Sequence, residues 1–221
     1  MANFSKSSDV EEKEQQPQEN TTTTAVTTPE VESELMIKHP LHNKWTLWYF
    51  ENDKNKGWEE NQREITSFST VEDFWCVFNH IKQASDLRVG CDYSLFKSGI
   101  RPMWEDETNK NGGRWLISLD RKQRSSELNA FWLEILLCLI GEAFDDYSED
   151  ICGAVVNVRA KGDKIGIWTV DASRSKSDGI LSIGRKIKER LGIGAEYQIV
   201  YQSHRDTASR TSSTSKNSFT L

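Results

Sequence analysis

The stretch ICGAVVNVRAKGDKIGIWTV, Ile151 to Val170, consists of two β-branched apolar runs about a charged turn. Ile151 to Arg159 and Lys164 to Val170 read as strands, and Lys161-Gly162-Asp163 between them is a hairpin signal. A hairpin makes its two strands antiparallel, so the fold class is set here first. Working outward, Lys44 to Phe50 (KWTLWYF), Ile65 to Phe68, Tyr93 to Phe96, Trp115 to Leu119 and Glu196 to Tyr201 read as further strands. Three helices interleave with them. Thr70 reads as an N-cap with Asp73 at N3, followed by Val71, Phe74, Trp75, Phe78 and Ile81 at helical spacing. Ser125 or Ser126 opens a second helix running to about Gly141. Ser177 or Asp178 opens a third, with the stripe Ile180, Ile183, Ile187 and Leu191, and Gly192 stops it. Strands joined by hairpins, with helices between, predict an α+β fold: an antiparallel sheet with helices on one face.

Charge is unevenly spread along the 221 residues. Met1 to Ile37 carries eight acids against Lys6 and Lys13, a balance of −6 equal to the formal charge of the whole chain. Residues 38–221 are therefore formally neutral, and the acidic overall balance does not argue against an anionic ligand there. Residues 1–37, rich in Thr, Glu and Gln, have too little apolar surface to offset the entropy of ordering, which predicts a disordered tail. The tail has no apolar core of a signal peptide. Cys76, Cys91, Cys138 and Cys152 form no CxxC pair and read as reduced core thiols of a cytosolic protein; the four histidines add no metal cluster. The longest apolar run, Phe131 to Ile140, is interrupted by Glu134 and is too short to span a bilayer.

The eight tryptophans sort into two groups. Trp45, Trp48, Trp75, Trp115, Trp132 and Trp168 lie in apolar or alternating surroundings and read as core. Trp58, in NDKNKGWEEN, and Trp104, in RPMWEDE, lie in polar loops with acids directly after them. A loop indole is either a packing plug or a stacking platform. Two convergent indoles would sandwich a flat ring, and a desolvated cation–π contact contributes about 2 kcal/mol. A carboxylate at the ring edge would accept from the adjacent N1–H and amine of guanine, each charge-assisted bond adding about 1.5–3 kcal/mol. Trp plus Glu thus suits a guanine made cationic by N7-methylation. Arg159, Lys161 and Lys164 cluster about the hairpin turn, with Arg114 a further candidate, as phosphate ligands or as an ordinary solvated turn.

HPLHNKWTLWYFEND, TVEDFW, DYSLFK, RPMWEDE, GGRWLISL, FWLEILLCLIGEAFDD, CGAVVNVRAKGDKIGIWT and YQSHRDT together resemble the cap-binding translation initiation factor 4E family, over about residues 37–221. The resemblance implies a strongly curved antiparallel sheet with three long helices on its convex back and one cap-binding domain over 38–221, with a mobile loop at about 204–217. It implies that 7-methylguanosine triphosphate, the 5′ cap of messenger RNA, binds in the concave slot. Trp58 and Trp104 would stack on the base, Glu105 would read its edge, and Trp168 would touch the N7-methyl group. Arg159 and Lys164 would hold the triphosphate, assisted by Arg114, with Lys161 nearby and Arg210 in the C-terminal loop. His39, Pro40, Val71, Trp75, Leu133, Glu134, Leu137 and Gly141 would form a convex patch for scaffold and repressor proteins carrying a Tyr-x-x-x-x-Leu-apolar helix. Ser213 would be a phosphorylation position. The resemblance further implies a monomer without cofactor, in the cytoplasm, with nuclear and RNA-granule pools as other locations. A paralogue that binds caps yet represses selected messages is the alternative. A hydrolase built on Asp145, Asp146, Asp150, His204 and Asp206 lacks a phosphate-cradling glycine loop and any metal-ligand spacing.

Overall fold

The structure, a computed structural model, describes residues 37–208 and 218–221. Eight strands form one antiparallel sheet: β1 (Pro40–Phe50), β2 (Gln62–Thr70), β3 (Asp92–Lys97), β4 (Gly113–Asp120), β5 (Ile151–Asn157), β6 (Gly162–Thr169), β7 (Val200–Ser203) and β8 (Phe219–Thr220). Their spatial order is β2-β1-β3-β5-β6-β4-β7-β8. The hairpin read from the sequence is β5–β6, and it lies at the centre. The sheet is curved. Register shifts occur in the β1–β2 pair between Pro40 and Trp45 and between Leu47 and Trp48, and in β5 between Ile151 and Gly153. Each such bulge bends a strand and adds local twist.

Three helices pack on one face: α1 (Val71–His80), α2 (Asn129–Ile140) and α3 (Ser177–Leu191). Side chains alternate along a strand, so the helices cover one set. Leu47, Leu95, Ala154, Val156, Ile165 and Ile167 join the helices in the main core. Phe96, Cys152, Val155 and Trp168 form a separate small cluster on the other side. Trp115, fully buried, locks the two layers together by donating its indole N–H to the Ile180 carbonyl at 2.9 Å. A Cβ at Gly184 would come within 2.4 Å of that indole, so glycine is what lets α3 lie this close.

The helix starts depart from the sequence reading in part. Thr70 does cap α1, its hydroxyl accepting the Asp73 N–H at 3.2 Å. Neither Ser125 nor Ser126 caps α2. A π-helical turn, Arg124–Leu128, leads into it, and the Gln123 carbonyl takes the N–H groups of Glu127 and Leu128. α3 opens at Ser177 and ends at Gly192, which is left-handed at φ 64°. The strand expected over Glu196 to Tyr201 starts only at Val200; before it, a turn closes from Tyr197 N–H to the Gly194 carbonyl. The β8 edge strand escaped the sequence reading. Trp58 lies on a single helical turn, Trp58–Asn61, rather than in an irregular loop. Cys91, Cys138 and Cys152 are buried, but Cys76 is exposed on α1, contrary to its reading as a core thiol. No helix among the described residues is long and apolar enough to cross a membrane.

Trp115→Phe removes the bond to Ile180 and part of a buried ring. It should lower the unfolding free energy by about 2–4 kcal/mol, read from the urea midpoint. An unchanged midpoint would show that the two layers do not depend on this contact.

Candidate ligand slot on the open face of the sheet

β6 presents Lys164, Gly166 and Trp168 to the side away from the helices, and β4 places Arg114 opposite Trp168. A Cβ at Gly166 would stand 3.6 Å from the Trp168 Nε1 and 3.7 Å from the Arg114 Cδ, so the three residues meet at one spot. Trp168 packs edge-on against Phe96 at 5.5 Å and lies 4.3 Å from the His204 ring. The polar atoms of this floor are short of partners: Trp168 Nε1, Arg114 Nε and His204 Nε2 are buried without a hydrogen-bond partner among the described residues. Burial pushes the Arg114 guanidinium below its ordinary value, and no acid of the described residues pairs with it. Burial, with the Arg114 charge as the second cause, pushes His204 down to about 4 and keeps it neutral. The floor is therefore a half-buried cation beside aromatic rings, suited to an anionic, acceptor-rich ligand.

Two loops carry the exposed indoles. Trp58 follows the Phe50 end of β1, and Trp104 follows the Lys97 end of β3. Phe50 pairs with Asp92 and Trp45 with Lys97, so the loops leave opposite ends of the β1–β3 pair. Trp58 is 47 % and Trp104 50 % exposed, and the two rings make no contact with each other. Phe50 supports Trp58 at a centroid distance of 6.1 Å.

Each loop is held by one buried asparagine. The Asn61 amide donates to the carbonyls of Asp53, Lys56 and Gly57 at 3.0–3.2 Å and accepts from the Asp53 N–H at 3.0 Å. The Asn109 amide donates to the carbonyls of Arg101 and Met103, both at 2.8 Å. Asp106 accepts the backbone N–H groups of Arg101 and Thr108 at 3.1 and 2.9 Å. Glu107 pairs with Lys110. Within the acidic run, Glu105 alone has a carboxylate without a partner among the described residues. Sequence reasoning missed Asn61 and Asn109, whose only signal was an asparagine in a glycine-containing turn.

At the hairpin turn, Asp92 holds Arg159 through a fork of two bonds, that from Nη2 measuring 2.9 Å. Burial lifts the Asp92 carboxyl above its ordinary value, while the Arg159 charge pulls it back. Lys161 and Lys164 are exposed and form no ion pair with a described residue. Arg210 and Ser213 lie outside the described residues. The loop expected to begin at 204 starts instead with a helical turn, His204–Ala208, anchored by the buried His204.

On the helix side, Trp75 is 37 % exposed, although its sequence surroundings read as core. Leu133 and Leu137, one turn apart on α2, are half-buried; Gly141 at its end is exposed. Glu134 accepts from Arg190 at 2.8 Å, and His39 bonds Glu72 through Nδ1 at 2.6 Å. The Val71 N–H donates to the His39 carbonyl at 2.9 Å, which brings His39, Pro40 and Val71 to the start of α1. The candidate hydrolase residues do not assemble. Asp150 pairs with Lys176, Asp145 with Lys186, and His204 packs on Trp168. No three His, Cys, Asp or Glu among the described residues could hold a metal ion.

An antiparallel sheet backed by three helices on one face, with two exposed indoles on the connections between its strands, defines a class of α+β binding fold. The chain belongs to the eukaryotic initiation factor 4E family, whose model matches residues 40–219. It is 61 % identical over 188 residues to eukaryotic translation initiation factor 4E of Homo sapiens, covering 85 % of this chain and 86 % of that protein. Ascaris suum eIF4E-3, solved with an m7G cap, superposes with a TM-score of 0.78 at 46 % identity, over 84 % of this chain and 98 % of that one. The C. elegans eIF4E-3 complex with the 4E-binding protein Mextli and a cap analog gives 0.77 at 45 %, over 84 % and 100 %.

His204 carries a pH prediction. Its folded value near 4 lies below the ordinary 6.5, so the unfolded chain takes up a proton first as pH falls. Its contribution is complete above about pH 6.5 and is lost between there and about pH 4, at about 1.4 kcal/mol per pH unit. Between about pH 7.5 and pH 5 the loss should be about 2 kcal/mol by urea denaturation. His204→Phe should flatten the pH profile by that amount; an identical slope in both proteins would refute it.

Proposed function

We propose that the chain binds the 7-methylguanosine 5′ cap of messenger RNA on its open face and recruits an initiation scaffold on its helical face, promoting cap-dependent translation. The observation that supports this reading is the presence, in one domain, of two exposed indoles on separately pinned loops and of a sheet face whose Arg114 has no acid partner among the described residues. Trp58 and Trp104 sandwich the cationic base, at about 2 kcal/mol for a desolvated cation–π contact. Glu105, whose carboxylate is otherwise unoccupied, accepts from the guanine N1–H and amine. Trp168 lies beneath the N7-methyl group. Arg159 and Lys164 take the triphosphate, with Arg114 and Lys161 close by and Arg210 contributing from the C-terminal segment.

On the other face, Trp75, Leu133 and Leu137 receive the apolar side of a Tyr-x-x-x-x-Leu-apolar helix, flanked by His39, Pro40, Val71, Glu134 and Gly141. Such a helix would come from scaffold or repressor proteins. Solved relatives carry both kinds of partner: a schistosome eIF4E was solved with m7GpppG and 4E-BP. The protein acts by binding and not by catalysis, as one cap-binding domain over residues 38–221 behind the acidic tail, and works in the cytoplasm. Phosphate on Ser213 would add about two negative charges to the C-terminal segment.

Titration with 7-methyl-GTP should quench tryptophan fluorescence strongly, whereas GTP should do so weakly. Affinity for the methylated nucleotide should fall with salt because cations hold its phosphates, while preference for the methylated base persists. Equal quenching by the two nucleotides at every salt would remove the cap reading. Trp75→Ala should abolish capture of a Tyr-x-x-x-x-Leu-apolar peptide and leave 7-methyl-GTP binding intact; retained capture would place the partner surface elsewhere.

A further inference from the structure

The hairpin turn presents Arg159, Lys161 and Lys164 together, although like charges this close repel one another. A buried carboxylate lies under them. Asp163 is 1 % exposed, and a buried charge is tolerated only when paired and hydrogen-bonded. Its Oδ2 accepts from Arg124 Nε at 2.7 Å, and its Oδ1 accepts from Arg124 Nη2 at 2.7 Å and from the Arg159 N–H at 3.0 Å. The same Arg124 Nη2 donates to the Arg159 carbonyl. Both backbone polar groups of Arg159 are therefore tied to one ion pair. Its guanidinium is turned by Asp92 and by the carbonyls of Val158 and Cys91, which leaves Nε and one Nη2 hydrogen without an acceptor among the described residues. A Cβ at Gly162 would lie 2.7 Å from the Leu119 carbonyl, so β4 also fixes the turn from the side.

We infer that Asp163, with Arg124, is a positioning residue for the phosphate site: the buried ion pair sets the backbone of Arg159, and through the adjoining residue that of Lys164, so that their free donors meet a polyphosphate together. The inference rests on the cap reading and deepens it. Asp163 is sealed beneath the turn with its oxygens taken by Arg124 and the Arg159 N–H, so it acts through the turn and not on the phosphates themselves. The effect of the pair should therefore scale with the number of phosphates and leave base recognition untouched.

The test measures Asp163→Asn and the native chain by fluorescence against 7-methylguanosine and 7-methyl-GTP over a range of salt. The variant should bind 7-methyl-GTP about tenfold more weakly, the size of one displaced charge-assisted contact, and 7-methylguanosine within about twofold of the native chain. The slope of log affinity against log salt should be shallower for the variant with 7-methyl-GTP. Unchanged binding of 7-methyl-GTP would overturn the inference. Equal loss for both ligands in a variant with a native circular dichroism spectrum would also overturn it, by reducing Asp163 to a general packing role. Should Asp163→Asn fail to fold, Arg124→Lys, which keeps the charge but not the fork, undergoes the same comparison and must show the same selective loss. Failure of the native chain itself to prefer methylated over unmethylated guanosine would strike the cap reading instead.

Discussion

Ile165 and Ile167 are sealed in the main core, while Lys164 and Trp168, one position away in each case, face the open side. That alternation on a central strand is the constraint on which the rest depends. The helices supply the apolar cover for one face, so the other can remain polar and aromatic without loss of the core. A one-residue slip of β6 would place Lys164 in the core and Ile165 in the slot. The register is held by pairing on both sides, with β5 and with β4. Arg114 and Trp168, opposite each other across β4 and β6, are therefore placed by the same hydrogen bonds that hold the sheet together.

The loops add what the strands cannot. Strand geometry sends the Trp58 and Trp104 segments from opposite ends of the β1–β3 pair, and each then depends on its own internal bonding. Asn61 and Asn109 perform the same task in two unrelated sequences. A buried side-chain amide stands in for the missing ladder and satisfies carbonyls that would otherwise be stranded. Asp106 belongs to this framework, and Glu105, its neighbour, has no partner among the described residues. In RPMWEDE, adjacent acids thus differ: one is built into the loop and the other is not.

Much of the fold was legible from periodicity. The β5–β6 hairpin, the Thr70 cap and the Gly192 stop follow from local rules that tertiary packing did not override. The misreadings fall where distant residues decide. β8 exists because the chain end pairs with β7, Phe219 opposite Tyr201 and Thr220 opposite Val200, flanked by the bonds that Ile199 and Leu221 exchange, a pairing that no window of local sequence contains. The start of α2 was misplaced because Gln123, not a serine, receives the first N–H groups. Trp75 read as core because the α1 stripe is apolar all along its length. Its exposure depends on which side of that stripe is turned to the sheet: Phe74 is buried, whereas Trp75, the next residue, is not.

The sequence by itself determined the alternating strands, the helical stripes, the two tryptophans stranded in polar loops and, through its motifs, the family. These are local or cumulative properties that the chain carries in order. The tertiary structure alone decided that Arg114 lies half-buried beside Trp168 and His204, that Asp92 and Asp163 hold the hairpin turn, and that Trp75 is left uncovered. Each of these joins residues far apart in the chain. Burial and pairing are properties of the neighbours that folding supplies, and a residue's type does not fix them.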